Sequence, residues 1–234
     1  WSSDVCSSDL KDGPLYVVFP QNDKGEVGSR TGLPKERYQF HFPSSQFMDR
    51  DDHQIRLVDT LNGPMSEIKE VFREEFAKEL PTQNGQKVQI NVPNGNGSDY
   101  IRLYGFESLF EKLPENITTL NIVNEGRGEE IKPFDVPETI ARFKNLQQIM
   151  FNNIVKSIPD NISQCTKLSF ISLPHNKELK SIPDSVADLK DLAFFNIKGC
   201  DPKLVSGETL PIRLKEKLGD AEEGGEEKGF YFIF

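Results

Sequence analysis

Residues 159–176 read PDNISQCTKLSFISLPHN, and residues 183–200 read PDSVADLKDLAFFNIKGC. Laid over one another, the two share proline, then Asp, then apolar residues at the third, sixth and ninth positions: Ile162, Cys165 and Leu168 in one, Val186, Leu189 and Leu192 in the other. Residues 137–154, PETIARFKNLQQIMFNNI, fit the same frame with Ile140, Phe143 and Leu146. A proline fixes φ at the start of a short helical turn. The acidic residue after it sits near that turn's N-terminus, and the third and sixth positions give one inward face. Beyond the ninth position the apolar period becomes two, in Ile149 and Phe151, Ile171 and Leu173, and Phe195 and Ile197, as a strand with one buried face requires. Leu113-Pro114 and Leu210-Pro211 extend the series, so unit prolines stand at 114, 137, 159, 183 and 211. Self-similarity at this spacing describes units that bury their apolar faces only against neighbouring units.

The strand segments have the form LxxLxL, and two of them continue to Asn176 and Cys200, three residues past the last apolar position. Over about residues 113–214 this resembles the leucine-rich repeat family. The resemblance implies an α/β solenoid: a curved parallel sheet, with short helical or irregular segments on its convex side. It also implies that Asn176 and Cys200 form a structural ladder, their side chains turned inward to bond the turning backbone. The unit at 137 carries Ile154 where Asn is expected, so either Asn152 or Asn153 takes that role or the ladder is broken there. The first unit, LPENITTLNIVN at 113–124, begins its strand about six residues early.

Residues between the inward positions of LxxLxL face away from the core, on the concave side. Stacking the units gives three columns: Thr119, Gln148, Phe170 and Phe194; Asn121, Met150, Ser172 and Asn196; Val123, Asn152, Pro174 and Lys198. Two adjacent phenylalanines in a solvent-facing column are the makings of an interaction surface. The expectation is a non-enzymatic recognition module that takes a protein or peptide ligand on its concave face. Its contacts are Phe170, Phe194, Met150, Gln148, Asn152, Ser172, Asn196, Lys198 and, at the end of a strand, His175. The alternative is that the repeats are the substrate-recognition arm of a larger enzyme, such as a receptor kinase or a ubiquitin-ligase effector.

The rest of the chain limits these readings. Lys and Arg total 28 against 37 Asp and Glu, a net charge of −9 that repels a phosphate backbone, so no nucleic-acid partner is expected. No apolar run approaches the ~20 residues needed to span a bilayer. No cofactor and no metal are expected. His53 lies with Asp49, Asp51 and Asp52 in MDRDDHQ (48–54), which reads as a solvated charged loop, and NGNGSD (94–99) reads as a plain turn because no Glu closes a calcium loop. No nucleophile elbow, phosphate-binding glycine loop or HExxH is present, so no enzyme is expected in these residues. Sequons at Asn96, Asn116 and Asn161 compare with roughly 1.6 expected from composition and add little weight to secretion.

Residues 1–10, WSSDVCSSDL, resemble the translation of a common sequencing adapter. They are set aside as a processing scar, with Cys6 removed from the cysteine count. Cys165 and Cys200 then remain as two buried thiols. Residues 11–84 predict a small α/β region: strands at LYVVF and YQFHF, and a Ser-capped helix over 66–80 burying Ile68, Val71, Phe72, Phe76 and Leu80. KVQINV at 87–92 predicts a strand, and the repeats are assigned to 85–218. Residues 219–234 read as an acidic Gly/Glu linker and an apolar end that could close the sheet as a strand.

Overall fold

A computed structural model describes residues 2–6, 13, 15–19, 37–81, 86–126, 131–219 and 231–233. The chain divides into two compact units, Trp1–Lys78 and Glu79–Phe234.

The first unit is a four-stranded antiparallel sheet in the order β1 (Ser2–Cys6), β2 (Leu15–Phe19), β3 (Tyr38–His41), β4 (Gln46–Met48). Helix α1 (Leu57–Asn62), a 3-10 helix over Ser66–Phe72 and helix α2 (Arg73–Ala77) follow. Residues 2–6, set aside on sequence grounds, occupy the sheet edge, where pairing runs through the backbone and asks for no particular side chain. The core is aromatic: Phe40 and Phe72 are fully buried with ring centroids 5.4 Å apart, and Tyr16, Phe42, Phe47 and Phe76 pack around them edge to face or tilted.

The helix expected over 66–80 is revised in three ways. Its first half is 3-10, and Met65, not Ser66, stands at its cap with no side-chain bond. Its buried row steps by four through Ile68, Phe72 and Phe76, so Val71, off that row, remains 52% exposed. Leu80 is buried in the second unit.

The second unit is α/β, built on a six-stranded parallel sheet whose neighbours follow chain order. Its strands are β5 (Lys87–Val92), β6 (Thr119–Asn124), β8 (Gln148–Asn152), β10 (Phe170–Ser172), β11 (Phe194–Asn196) and β12 (Tyr231–Ile233), with β7 (Phe134–Asp135) and β9 (Val155–Ser157) pairing separately. The apolar end of the chain therefore closes the sheet as a strand, while residues 220–230 of the expected acidic linker lie outside the described residues. Helix α3 (Ser98–Lys112), kinked at Gly105, joins β5 to β6, and α4 (Pro202–Val205) and α5 (Ile212–Leu218) follow β11.

After Pro137, Pro159 and Pro183 the chain forms 3-10 turns at Glu138–Arg142, Asp160–Gln164 and Asp184–Asp188. The third, sixth and ninth positions past each proline are all buried, as are the inward residues of the strands that follow. Burying each such aliphatic side chain stabilises the fold by ~1.5–3 kcal/mol. Past Pro211 the rhythm holds at Leu214, which is buried. There α5 is fixed to the neighbouring turn by Arg213, bonded to Asp184 and Asp188, and by Lys217, whose ammonium donates to the carbonyls of Ala187 and Leu189. Burial lowers the Lys217 pKa from its ordinary value.

The bonds that join units lie where each strand ends. Asn176, 2% exposed, accepts the N–H groups of Ile154 and Val155 on Oδ1, both at 2.7 Å, and donates from Nδ2 to the Phe151 carbonyl at 2.7 Å. Cys200 repeats both halves of this arrangement one unit later. Its Sγ donates to the Leu173 carbonyl at 2.9 Å and accepts the Asn176 N–H. Ile154 is fully buried and supplies no polar side chain, while Asn153 beside it takes a left-handed corner (φ 53°). His175 (φ 61°) and Gly199 (φ 70°) hold the equivalent corners.

Two predictions follow from these turns. Asn176→Leu leaves two buried N–H groups and a carbonyl unpaired, so urea unfolding is expected to show a loss of about 2–4 kcal/mol. At Gly199 a Cβ would stand 2.6 Å from His175 Nδ1 on a left-handed backbone. Gly199→Ala is therefore expected to cost about 1–3 kcal/mol, and the double variant with His175→Gly to recover part of it in the same measurement.

Candidate functional site

Because every strand of the sheet is parallel and the inward residues set its register, the outward residues fall into rows across it. Gln148 pairs with Thr119 on one side and Phe170 on the other, and Phe170 pairs with Phe194. Met150 lies between Asn121 and Ser172, and Ser172 pairs with Asn196. Val123 pairs with Asn152. The first two are rows read from the repeat, and of the third Val123 and Asn152 pair, while Pro174 and Lys198 lie past the ends of β10 and β11. Strand β5 adds Lys87, Gln89 and Asn91 to the three rows in turn. Its alternation was visible in the sequence, but its register was not, because it lies ahead of the first unit proline.

Phe170 and Phe194 are the centre of this face. Both are half-buried, and their rings stack with centroids 4.1 Å apart and 3° between planes. Strands about 4.7–4.9 Å apart bring equivalent side chains to stacking distance, and such a pair adds ~0.5–1.5 kcal/mol beyond the area it buries. Gln148 and Lys198 are exposed, and Met150 and Asn152 are half-buried beside them.

Three expected contacts are also engaged within the fold. Ser172 is only 9% exposed, and its hydroxyl accepts from Asn196 Nδ2 at 3.3 Å, so it lies beneath the surface. Asn196 is engaged at both ends, since its Oδ1 also takes the Lys198 N–H at 2.9 Å. His175 is exposed but shapes a turn, with its ring over Gly199 and its N–H bonded to the Lys198 carbonyl at 2.7 Å. Each role includes a bond across units, which the pattern within a single unit does not display.

Outside this face, Asp49, Asp51 and His53 bring their ligand atoms within 4.8 Å of one another. Asp49 Oδ1 accepts the N–H groups of Asp51 and His53, both at 2.9 Å, and Arg50 Nε stands 3.0 Å from the Asp51 carboxylate. The His53 N–H, with that of Asp51, holds the Asp49 carboxyl below the usual range. These bonds are those of a side-chain-closed turn and account for the grouping. NGNGSD likewise runs through a turn directly into α3 at Ser98, a helix the sequence reading did not anticipate. Among the described residues no helix is long and apolar enough to cross a membrane.

Cys165 and Cys200 are buried and free. Cys165 Sγ donates to the Ile140 carbonyl at 3.3 Å, and burial pushes both thiols up to about 11. No family model matches this sequence, and no curated protein matches it, so the geometry of the sheet face carries the functional reading.

The thiols give a prediction in which direction matters. A raised pKa favours the protonated thiol in the folded state, so this contribution is complete below the ordinary value of 9.0 and is lost as pH rises through about 11. In a Cys6→Ser background, neither thiol is expected to react with a disulfide reagent at about pH 8 until the chain is unfolded, and urea midpoints are expected to fall between pH 9 and 11. Rapid labelling of the native protein would contradict the burial.

Proposed function

We propose that residues 113–214 are a short leucine-rich repeat arc whose concave face recognises a protein or peptide, without catalysis of its own. The observation that carries this reading is the stacked pair Phe170 and Phe194, half-exposed on the outward side of the sheet. Apolar rings that could have faced inward instead stand among Gln148, Met150 and Asn152, the combination of apolar anchor and polar neighbours that makes a binding hot spot. The repeat assignment is supported by the prolines that open each 3-10 turn, by the strands that follow in chain order, and by the inward bonds of Asn176 and Cys200.

The test is a pull-down with the full chain as bait. Phe170→Ser with Phe194→Ser is expected to leave circular dichroism unchanged and to remove the captured partner, a loss of about 2 kcal/mol or more for each central aromatic anchor. Undiminished capture by a folded double variant would rule out this face.

A further inference from the structure

Among the described residues, the charge around the sheet face is opposite in sign to that of the chain. The rows Lys87–Thr119–Gln148–Phe170–Phe194–Tyr231, Gln89–Asn121–Met150–Ser172–Asn196–Ile233 and Asn91–Val123–Asn152 contain no carboxylate, although 37 of the 234 residues are acidic, and Glu125 meets their border through a bond from Asn91 Nδ2 at 3.0 Å. Each turn leading into the next three strands adds an exposed lysine: Lys144, Lys167 and Lys190. Asp191 is the one acid in those turns, and Lys198 stands at the far end of β11. Lys144 and Lys167 spend their ammonium groups on neutral amides, on Gln164 Oε1 at 3.3 Å and Asn145 Oδ1 at 2.7 Å. Among the described residues, none of Lys87, Lys144, Lys167, Lys190 and Lys198 has a carboxylate within ion-pair distance. Several cations elsewhere in the same unit do, Arg142 with Glu115, Lys156 with Asp135, Lys180 with Asp201, and Arg213 with Asp184 and Asp188, whereas Lys132, Lys177 and Lys215 resemble the face lysines in this respect but are scattered away from the strand-entry turns.

The aromatic pair points the same way. Stacked rings hide the π faces they share, so the exposed remainder includes their C–H rims, the positive part of the ring quadrupole. A rim flanked by amide donors and by ammonium groups that have no carboxylate partner among the described residues suits carboxylates and disfavours a basic segment.

Building on the recognition reading above, we propose that the segment docking on this face is an acidic peptide, with carboxylates meeting the lysine border and an apolar side chain against Phe170 and Phe194. Because the chain as a whole carries −9, association with such a segment depends on the local border and not on net charge.

The experiment uses the full chain at low ionic strength, with fluorescein-labelled poly-L-glutamate as the probe and fluorescence polarisation as the readout. The wild type is expected to bind it, and less strongly as salt is added. Lys144→Glu with Lys167→Glu and Lys190→Glu is expected to weaken binding by about tenfold or more. A control with the same charge change at exposed lysines outside these turns, Lys132→Glu, Lys203→Glu and Lys215→Glu, is expected to lose less than about threefold. No binding by the wild type, or equal losses in the two variants, would overturn the acidic reading. If the Phe170→Ser, Phe194→Ser chain still loses its captured partner in that case, the face remains the binding surface and only the partner's charge has been misassigned.

Discussion

The constraint on which the second unit depends is the fate of backbone polar groups where a buried strand turns. Strands stacked on one another bring the ends of their chains into the interior, where an unpaired N–H or C=O costs about 1–3 kcal/mol. Asn176 meets this cost with one side chain, since its amide carries an acceptor and donors that face in different directions. By bonding Phe151, Ile154 and Val155 it ties each turn to the next, and a one-residue slip of β10 against β8 would break all three bonds and turn the outward row inward. The alignment of Phe170 with Gln148 thus depends on bonds made on the opposite side of the turn.

That constraint also explains why different residues hold equivalent places. Cys200 both donates and accepts through a single sulfur, and so reproduces the Asn176 pattern with a weaker atom. Ile154 can be apolar because the N–H groups at its turn are taken by the side chain of the following unit. The corner before each ladder position is left-handed, and Asn153, His175 and Gly199 tolerate it for different reasons: a short amide that suits that region, a ring braced against the neighbouring turn, and an absent Cβ.

The sequence displayed what depends on period and concealed what depends on partners. The prolines, the three-residue rhythm of the 3-10 turns and the alternation after them located β6, β8, β10 and β11 and gave the rows of the outward face. Helix α3 was not visible: it begins without a side-chain cap at Gly97 and is interrupted at Gly105, so no continuous apolar stripe marks it. The non-α start at Ser66 and the exposure of Val71 reflect tertiary packing that selects one row of an ambiguous pattern. At the site, Ser172 and Asn196 read as free contacts because the bond between them crosses units, twenty-four residues apart.

The outward residues that make no such internal bond form a narrower set than the face as a whole. Removing Ser172, Asn196 and His175 leaves the two rings, Met150, Gln148, Asn152 and Lys198, a patch with an apolar centre and donors around it. The internal engagement of Asn196 is part of that selectivity. An asparagine already bonded at both ends neither reorganises on binding nor leaves a desolvated amide behind, so the ordering cost of a complex falls on fewer side chains. Stacking acts in the same direction, because two rings held 3° from parallel have surrendered their rotational freedom during folding. The contacts that stabilise the fold thus also make this surface rigid, and under the proposed recognition role that rigidity would lower the entropy lost on docking.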